Sequence, residues 1–141
     1  MVKEVKIKIT GAQTAPDFEG KPEIIELETR GSFYMKDGIN YLKYDEYFEG
    51  VSEPAKNLLK FDEQGLEMTK KGSVNTVMEF GKNKHYSAHY VTPHGPIVLE
   101  ILTDTYEMRK TDSHIQVDVN YCIDFNYDYM TNCSLTINIE E

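Results

Sequence analysis

Residues 115–129 read IQVDVNYCIDFNYDY, and two kinds of side chain alternate along this stretch without interruption. The odd-numbered positions carry Ile, Val, Tyr or Phe, whereas the even-numbered positions carry Gln, Asp, Asn or Cys. Successive side chains of a β-strand point to opposite faces, so a period of two predicts a strand with one buried and one solvated face. We therefore predict one long, half-buried strand here.

The same period recurs along most of the chain. It is clear in residues 4–10 and 133–140, and weaker in the segments 25–35, 41–48, 74–80, 85–91 and 97–109. Residues 55–61 fit two interpretations. Ser52 followed by Pro54 resembles a helix start, but Leu59 and Phe61 alternate with Lys60, which favours a strand.

Turn sequences separate these segments. Asp37-Gly38 is typical of a tight type I′ hairpin turn. Further turns are predicted at 81–84, 92–96 and 110–113, and a polar loop at 11–22. Nine or ten consecutive strands predict an all-β, antiparallel up-and-down meander. Closure into a barrel of about 8–10 strands would remove the exposed sheet edges.

Several of these segments resemble a known family. They are VKIKITG at 5–11, YLKYDE at 41–46, GSVNTVMEF at 72–80, YVTPHG at 90–95 and VDVNY at 117–121. The chain resembles the YwiB-like family, a bacterial domain of unknown function with a calycin-type β-barrel related in shape to the lipocalins. The Thr-Pro-x-Gly turn at 92–95 is the most specific element. The resemblance implies a fold over essentially the whole chain and no established activity.

Length and charge limit the classes of partner. A chain of 141 residues predicts a single domain, residues 1–141. It has no apolar run long enough for a transmembrane helix and no apolar signal segment after Met1. The net charge is −9, and we see no basic stripe with interleaved aromatic residues. We therefore expect no membrane and no nucleic-acid partner; the oligomeric state stays open.

The two cysteines fall on opposite faces of their strands. Alternation puts Cys122 outside and Cys133 inside, which disfavours a disulfide between them. Reduced thiols without a signal segment are typical of a cytoplasmic protein.

Reactive side chains form no recognisable catalytic or metal-binding pattern. His85 and His89 share a strand face but lie about 13 Å apart, too far to chelate one zinc ion. The acidic residues of 45–53 and the polar face of 118–128 are typical of solvated surfaces. We therefore predict no catalytic residues, no metal and no cofactor, although an enzyme acting at the barrel mouth remains a third hypothesis.

The ten tyrosines give the most informative candidates. Alternation directs Tyr121 and Tyr127 inward and, from less regular strands, Tyr44 or Tyr90. Buried Tyr hydroxyls need partners, which can be protein, water or ligand. Our first hypothesis is a barrel that binds a small amphipathic or apolar molecule, contacted by the residues Tyr44, Tyr90, Tyr121 and Phe125. The alternative is a solidly packed structural or protein-interaction barrel.

Overall fold

The computed structural model describes residues 2–14, 23–72, 75–92, 95–125 and 130–141. These residues form β-strands with the following bounds: β1 Lys3–Thr14, β2 Glu23–Lys36, β3 Ile39–Glu46, β4 Ala55–Phe61, β5 Gly65–Lys71, β6 Thr76–Gly81, β7 His85–Thr92, β8 Gly95–Lys110, β9 His114–Phe125 and β10 Met130–Glu140. Residues 55–61 are therefore a strand, as the alternation of Leu59 and Phe61 favours. Among the described residues, no helix has the length and apolar character needed to cross a bilayer.

All ten strands belong to one antiparallel sheet. Its order is β6-β5-β4-β3-β2-β1-β10-β9-β8-β7, so consecutive strands pair except β6 and β7, and β1 pairs with β10. The two outer strands approach each other, and the Tyr86 hydroxyl donates to the Val77 carbonyl at 3.1 Å. The Gly81 amide likewise donates to Thr103 Oγ1 at 3.3 Å. The sheet is thus nearly closed into a barrel with a seam between β6 and β7, which confirms the predicted fold class.

The barrel has two different ends. Short turns at residues 37–38, 62–64, 82–84 and 111–113 form the hairpin end. The C-terminal ends of β1, β3, β5, β7 and β9 lie at the opposite end of the barrel, which we call the loop end. Asp37 and Gly38 have φ values of 53° and 80°, as the predicted type I′ turn requires.

The centre of the barrel is closely packed. On β9, Ile115, Val117, Val119 and Ile123 are buried and Tyr121 is partly buried, whereas Gln116, Asp118 and Asn120 are partly or fully exposed, so the predicted register is correct. Apolar side chains at most 2% exposed fill the centre: Val5, Ile7, Leu42, Leu59, Phe61, Phe80, Ile101, Val117, Val119 and Ile137. Burial of this apolar surface is the main stabilising contribution to such a fold.

Strand β2 departs from the predicted pattern. By alternation, Ile25 and Met35 occupy inward-facing positions of β2, but they are 58% and 47% exposed. β3 pairs with β2 only between Ser32 and Lys36, so residues 23–31 pair with β1 alone among the described strands, which accounts for the exposure of Ile25 but not for that of Met35. The inward-facing positions of β2 are consequently uncovered near the loop end.

Some strand bounds also differ from the prediction. Residues 11–14 belong to β1 rather than to a loop, and Pro96 pairs with Val91 in β8 rather than lying in the turn. Proline is tolerated there because it lies at the start of a strand. The predicted segments 15–22, 73–74, 93–94 and 126–129, with Tyr127, lie outside the described residues.

Strand β8 contains an irregularity that the sequence pattern did not predict. Its pairing with β9 shifts between Thr103 and Thr105. Both Thr103 and Tyr106 are buried, although they differ by three positions. A β-bulge of this kind re-aims the following side chains, and here it directs Tyr106 into the barrel.

Candidate functional site

Inward-facing side chains become more exposed toward the loop end of the barrel. On β5, Leu66 is buried whereas Met68 and Lys70 are partly exposed. On β6, which pairs with β5, Phe80 is buried whereas Met78 is partly exposed. The interior is therefore filled at its centre and hairpin side, and it opens toward the loops.

Four polar side chains face inward at this opening, and we call them the inner polar cluster: Tyr44, Glu46, Asn57 and Lys70. Alternation places them there, because Asn57 pairs with Tyr44 on β3 and with Lys70 on β5. Lys70 Nζ lies 2.9 Å from Glu46 Oε1, and Asn57 Nδ2 lies 3.5 Å from the same oxygen. The cluster combines a cation, an anion, an amide and a phenol within one region.

The cluster is only partly shielded from solvent. The side chains of Lys70 and Glu46 are 40% and 22% exposed. Lys70 Nζ also lies 5.7 Å from the centre of the Phe48 ring, in the range of a cation–π contact. An incoming polar group can therefore reach the ion pair from the loop end, while Asn57 beneath it is buried.

Tyr44 differs electrostatically from an exposed tyrosine. Its side chain is 7% exposed. Burial, and secondly the charge of Glu46, raise the pKa of the Tyr44 hydroxyl above its ordinary value, so it stays protonated at neutral pH. Among the described residues this hydroxyl forms no hydrogen bond to protein, and it is not one of the fully enclosed oxygens without a partner, which are Asn40 Oδ1 and Asp124 Oδ1, so it keeps some contact with solvent.

Other inward tyrosines have protein partners for their hydroxyls. The Tyr106 hydroxyl lies 2.8 Å from the carbonyl oxygen of Asp62 and 3.0 Å from that of Gly65. Tyr121 interacts with the thiol of Cys133, its cross-strand neighbour, and packs edge-on against Phe80 at 4.7 Å. Burial is the main cause that raises the pKa of Tyr106 and Tyr121. Tyr44 is therefore distinguished by its unpartnered hydroxyl.

The structure separates the predicted ligand-binding residues. Tyr44 belongs to the inner polar cluster, and Tyr121 lies among core side chains on β9. Tyr90 and Phe125 occupy strand positions opposite Ile97 and Leu99, but their side chains lie outside the described part of the chain. Whether these four residues bind a ligand stays a prediction.

Sequence reasoning missed three members of the cluster. The sequence pattern places Glu46, with its acidic neighbours, on a solvated surface, and it gives Asn57 and Lys70 no role in a site. The usable signal was spacing: Glu46 follows Tyr44 by two residues, and Asn57 precedes Leu59 by two. Residues two apart on a strand share a face, so an inward Tyr44 implies an inward Glu46.

A separate cavity of about 230 Å³ lies at the hairpin end. Core side chains including Val5, Phe33, Ile115 and Ile139 line it, and charged residues including Lys110 stand at its rim. Tyr44 and Tyr121 do not line this cavity. It offers an apolar site at the end opposite to the inner polar cluster.

Metal-binding chemistry finds no support in the described ranges. No group of three or more His, Cys, Asp or Glu side chains there could hold an ion. His85 Nε2 lies 3.7 Å from Glu100 Oε2 on the exposed face. Cys122 and Cys133 are both free thiols, as predicted, and burial raises the pKa of each.

Comparison with known proteins agrees with the fold. Residues 7–137 match the model of a family described as a domain of unknown function, DUF1934, and the chain therefore belongs to this family. The structure is similar to the crystal structure of the ywiB protein from Bacillus subtilis, with a TM-score of 0.81 and 20% sequence identity. The alignment covers 99% of this chain and 92% of that chain, and confirms the predicted resemblance. No curated protein matches the chain.

Proposed function

We propose that this chain is a cytoplasmic binding protein whose calycin-type barrel takes a small amphipathic molecule at its loop end. Ligand sites are typically apolar with a few well-placed polar groups. The partly exposed Met68 and Met78 supply an apolar wall. Glu46, Asn57 and Lys70 supply hydrogen-bonding groups of both signs for the polar part of the molecule.

The unpartnered hydroxyl of Tyr44 carries this proposal. Unlike the enclosed oxygens of Asn40 and Asp124, this hydroxyl keeps some contact with solvent, so it can donate to a molecule that enters from the loop end. Tyr86, Tyr106 and Tyr121 have interaction partners within the protein. A bound molecule that accepts from Tyr44 and approaches the ion pair of Glu46 and Lys70 would supply the missing partner.

A packed structural or protein-interaction barrel is the second candidate. The centre favours it, because Leu42, Leu59 and Val117 have no measurable exposure. The Cys133 thiol beside Tyr121 also makes a ligand unnecessary at that position. The two candidates therefore differ in what they expect at the loop end, not in the centre.

A pair of Tyr→Phe variants tests the proposal. We expect Tyr44→Phe to weaken fluorescence enhancement of the amphipathic dye 1-anilinonaphthalene-8-sulfonate, with stability changed by no more than about 0.5 kcal/mol. Tyr106→Phe should leave dye binding unchanged. It should lower the free energy of unfolding by about 1–2 kcal/mol, because the acceptors Asp62 and Gly65 lose their donor.

Native mass spectrometry of protein from its own host provides the second readout. A co-purifying small molecule should be present in the wild type and in Tyr106→Phe, and depleted in Tyr44→Phe. Tyr121→Phe then shows whether the predicted site extends to β9. Absence of both a bound molecule and dye binding in the wild type would contradict the binding function and favour the packed barrel.

A further inference from the structure

Four lysines lie on the outer face of β3, β4 and β5. Lys43, Lys56, Lys60 and Lys71 line a hollow of about 520 Å³, which we call the lysine hollow. Leu58 and Thr69, which pair across β4 and β5, also line it. The four lysine side chains lie on the opposite face of the sheet from the inner polar cluster, although Tyr44 and Asn57 of that cluster also border the hollow.

None of these four lysines has a carboxylate within 4.0 Å among the described residues. By contrast, Lys70 and Lys84 form ion pairs at 2.9 and 2.6 Å. Asp45 lines the hollow, and Glu67 pairs across from Lys60, yet neither forms an ion pair there. Unneutralised cations gathered in one place are unexpected in a chain with a net charge of −9.

Two stacked tyrosines hold part of this arrangement. Tyr34 and Tyr41 stack with ring centres 4.7 Å apart and planes 3° apart. Lys43 lies over the Tyr34 ring at 5.8 Å, and Lys60 lies over the Tyr41 ring at 5.9 Å. Cation–π attraction therefore restricts two of the ammonium groups before any ligand arrives.

From this geometry we propose that the lysine hollow binds a compact polyphosphate group. Four ammonium groups against the two carboxylates of Asp45 and Glu67 leave an excess of positive charge that a chain of adjacent phosphates would neutralise. A nucleic acid fits less well, because base stacking needs free aromatic faces. Lys43 and Lys60 occupy faces of Tyr34 and Tyr41 that bases would use.

Titration calorimetry with inorganic triphosphate tests this assignment. Triphosphate should bind more tightly than single phosphate, and binding should weaken as salt rises. The double variant Lys56→Gln/Lys60→Gln should lose about tenfold or more in affinity, because charge-assisted hydrogen bonds are removed. Lys36→Gln, an exposed lysine outside the hollow, is the matched control and should bind as the wild type does.

Comparison with a nucleoside triphosphate identifies the source of the phosphates. Equal affinity for triphosphate and a nucleoside triphosphate means that the phosphate chain alone is recognised, whereas preference for either one identifies that source. Three results would overturn the proposal: no triphosphate binding, affinity unchanged in the double variant, or tighter binding of a single-stranded oligonucleotide than of triphosphate.

Discussion

Val119 and Asn120 are adjacent in the chain but occupy different environments. Val119 is 1% exposed inside the barrel. Asn120 is exposed on the outer face, where its Nδ2 donates to Thr105 Oγ1 at 2.8 Å. The same alternation that predicts strand β9 therefore predicts the consequences of substitution residue by residue.

Aspartate at these two positions should have opposite effects. Val119→Asp buries a charge without a partner and should prevent folding. Asn120→Asp should change the free energy of unfolding by no more than about 0.5 kcal/mol, because the side chain stays in solvent. Circular dichroism and thermal melting distinguish the two. Similar melting of both variants would contradict the register of β9.

The residue scale also shows where sequence reasoning about the site stopped. Tyr44 could be predicted to face inward because aromatic residues favour buried strand faces. Glu46 and Lys70 could not be paired from sequence, since they lie on β3 and β5 and meet across β4. Which residues are neighbours across three strands depends on two registers, and the local pattern fixes neither.

Among the elements, β2 and β3 stop pairing next to Gly31, where their backbones still lie close together. A Cβ atom at Gly31 would lie 2.3 Å from the Lys43 carbonyl oxygen and 2.7 Å from Ile7 Cδ1. The backbone of β3 thus comes too close to β2 for any side chain there. Gly11 on β1 has no such neighbour, since the nearest atom to a Cβ, the Ser134 carbonyl oxygen, would be 4.0 Å away.

Alanine substitutions at Gly31 and Gly11 should distinguish a steric clash in the folded state from the effect of glycine on the entropy of the unfolded chain. Gly31→Ala should lower the free energy of unfolding by about 3 kcal/mol, because neither strand backbone can yield easily. Gly11→Ala should be neutral or stabilising by up to about 1 kcal/mol, through lower entropy of the unfolded chain. Urea unfolding measures both. Equal destabilisation would mean that the close approach at Gly31 is wrong.

Strands β8, β9 and β10 are joined on their outer face by Asp118. Its carboxylate accepts from Arg109 at 2.7 Å, Gln116 at 2.9 Å and Thr136 at 2.9 Å. Desolvation opposes ionisation of this group, but the three hydrogen bonds and the charge of Arg109 outweigh it and lower the pKa of Asp118. The ionised form is therefore favoured by folding.

Asp118→Asn should cost stability in a pH-dependent way. The pKa of Asp118 is lower in the folded state than its unfolded-state value of about 3.9. The ionised carboxylate therefore stabilises the fold at pH values above that unfolded-state pKa. This stabilisation is lost as pH falls through the folded-state pKa. At pH 7 the wild type should exceed the variant by up to about 1 kcal/mol, since Arg109 is largely exposed. Arg109→Gln should reduce the loss of stability that Asp118→Asn causes. A loss of stability that does not change with pH would contradict the role of the ionised carboxylate.

For the whole molecule, net charge is a poor guide to local charge. The outer face of β3–β5 carries Lys43, Lys56 and Lys60 beside Asp45 and Glu67, whereas the outer face of β8–β9 carries Glu100 and the ion pair of Arg109 and Asp118. The all-β barrel could be predicted from the sequence, because the period of two is visible within the residues of each strand. The sequence could not predict the lysine hollow, because the registers of β3, β4 and β5 decide which lysines become neighbours, and the local pattern does not fix these registers. Net charge alone is therefore weak support for the absence of a nucleic-acid partner, and this absence stays a prediction.

The seam between β6 and β7 has a consequence for folding kinetics. The seam lies between β6 and β7, in the middle of the sequence, so the barrel forms only when β1 pairs with β10. Pairing partners such as Ile7 and Ile139 are therefore more than a hundred residues apart in sequence. Such high contact order slows folding, since a long loop must close before its contacts form. A circular permutant joined near the ion pair of Lys3 and Glu141 and opened at 82–84 would make every ladder a contact between sequence neighbours. Slow folding would thus be a property of the connectivity rather than of the barrel itself.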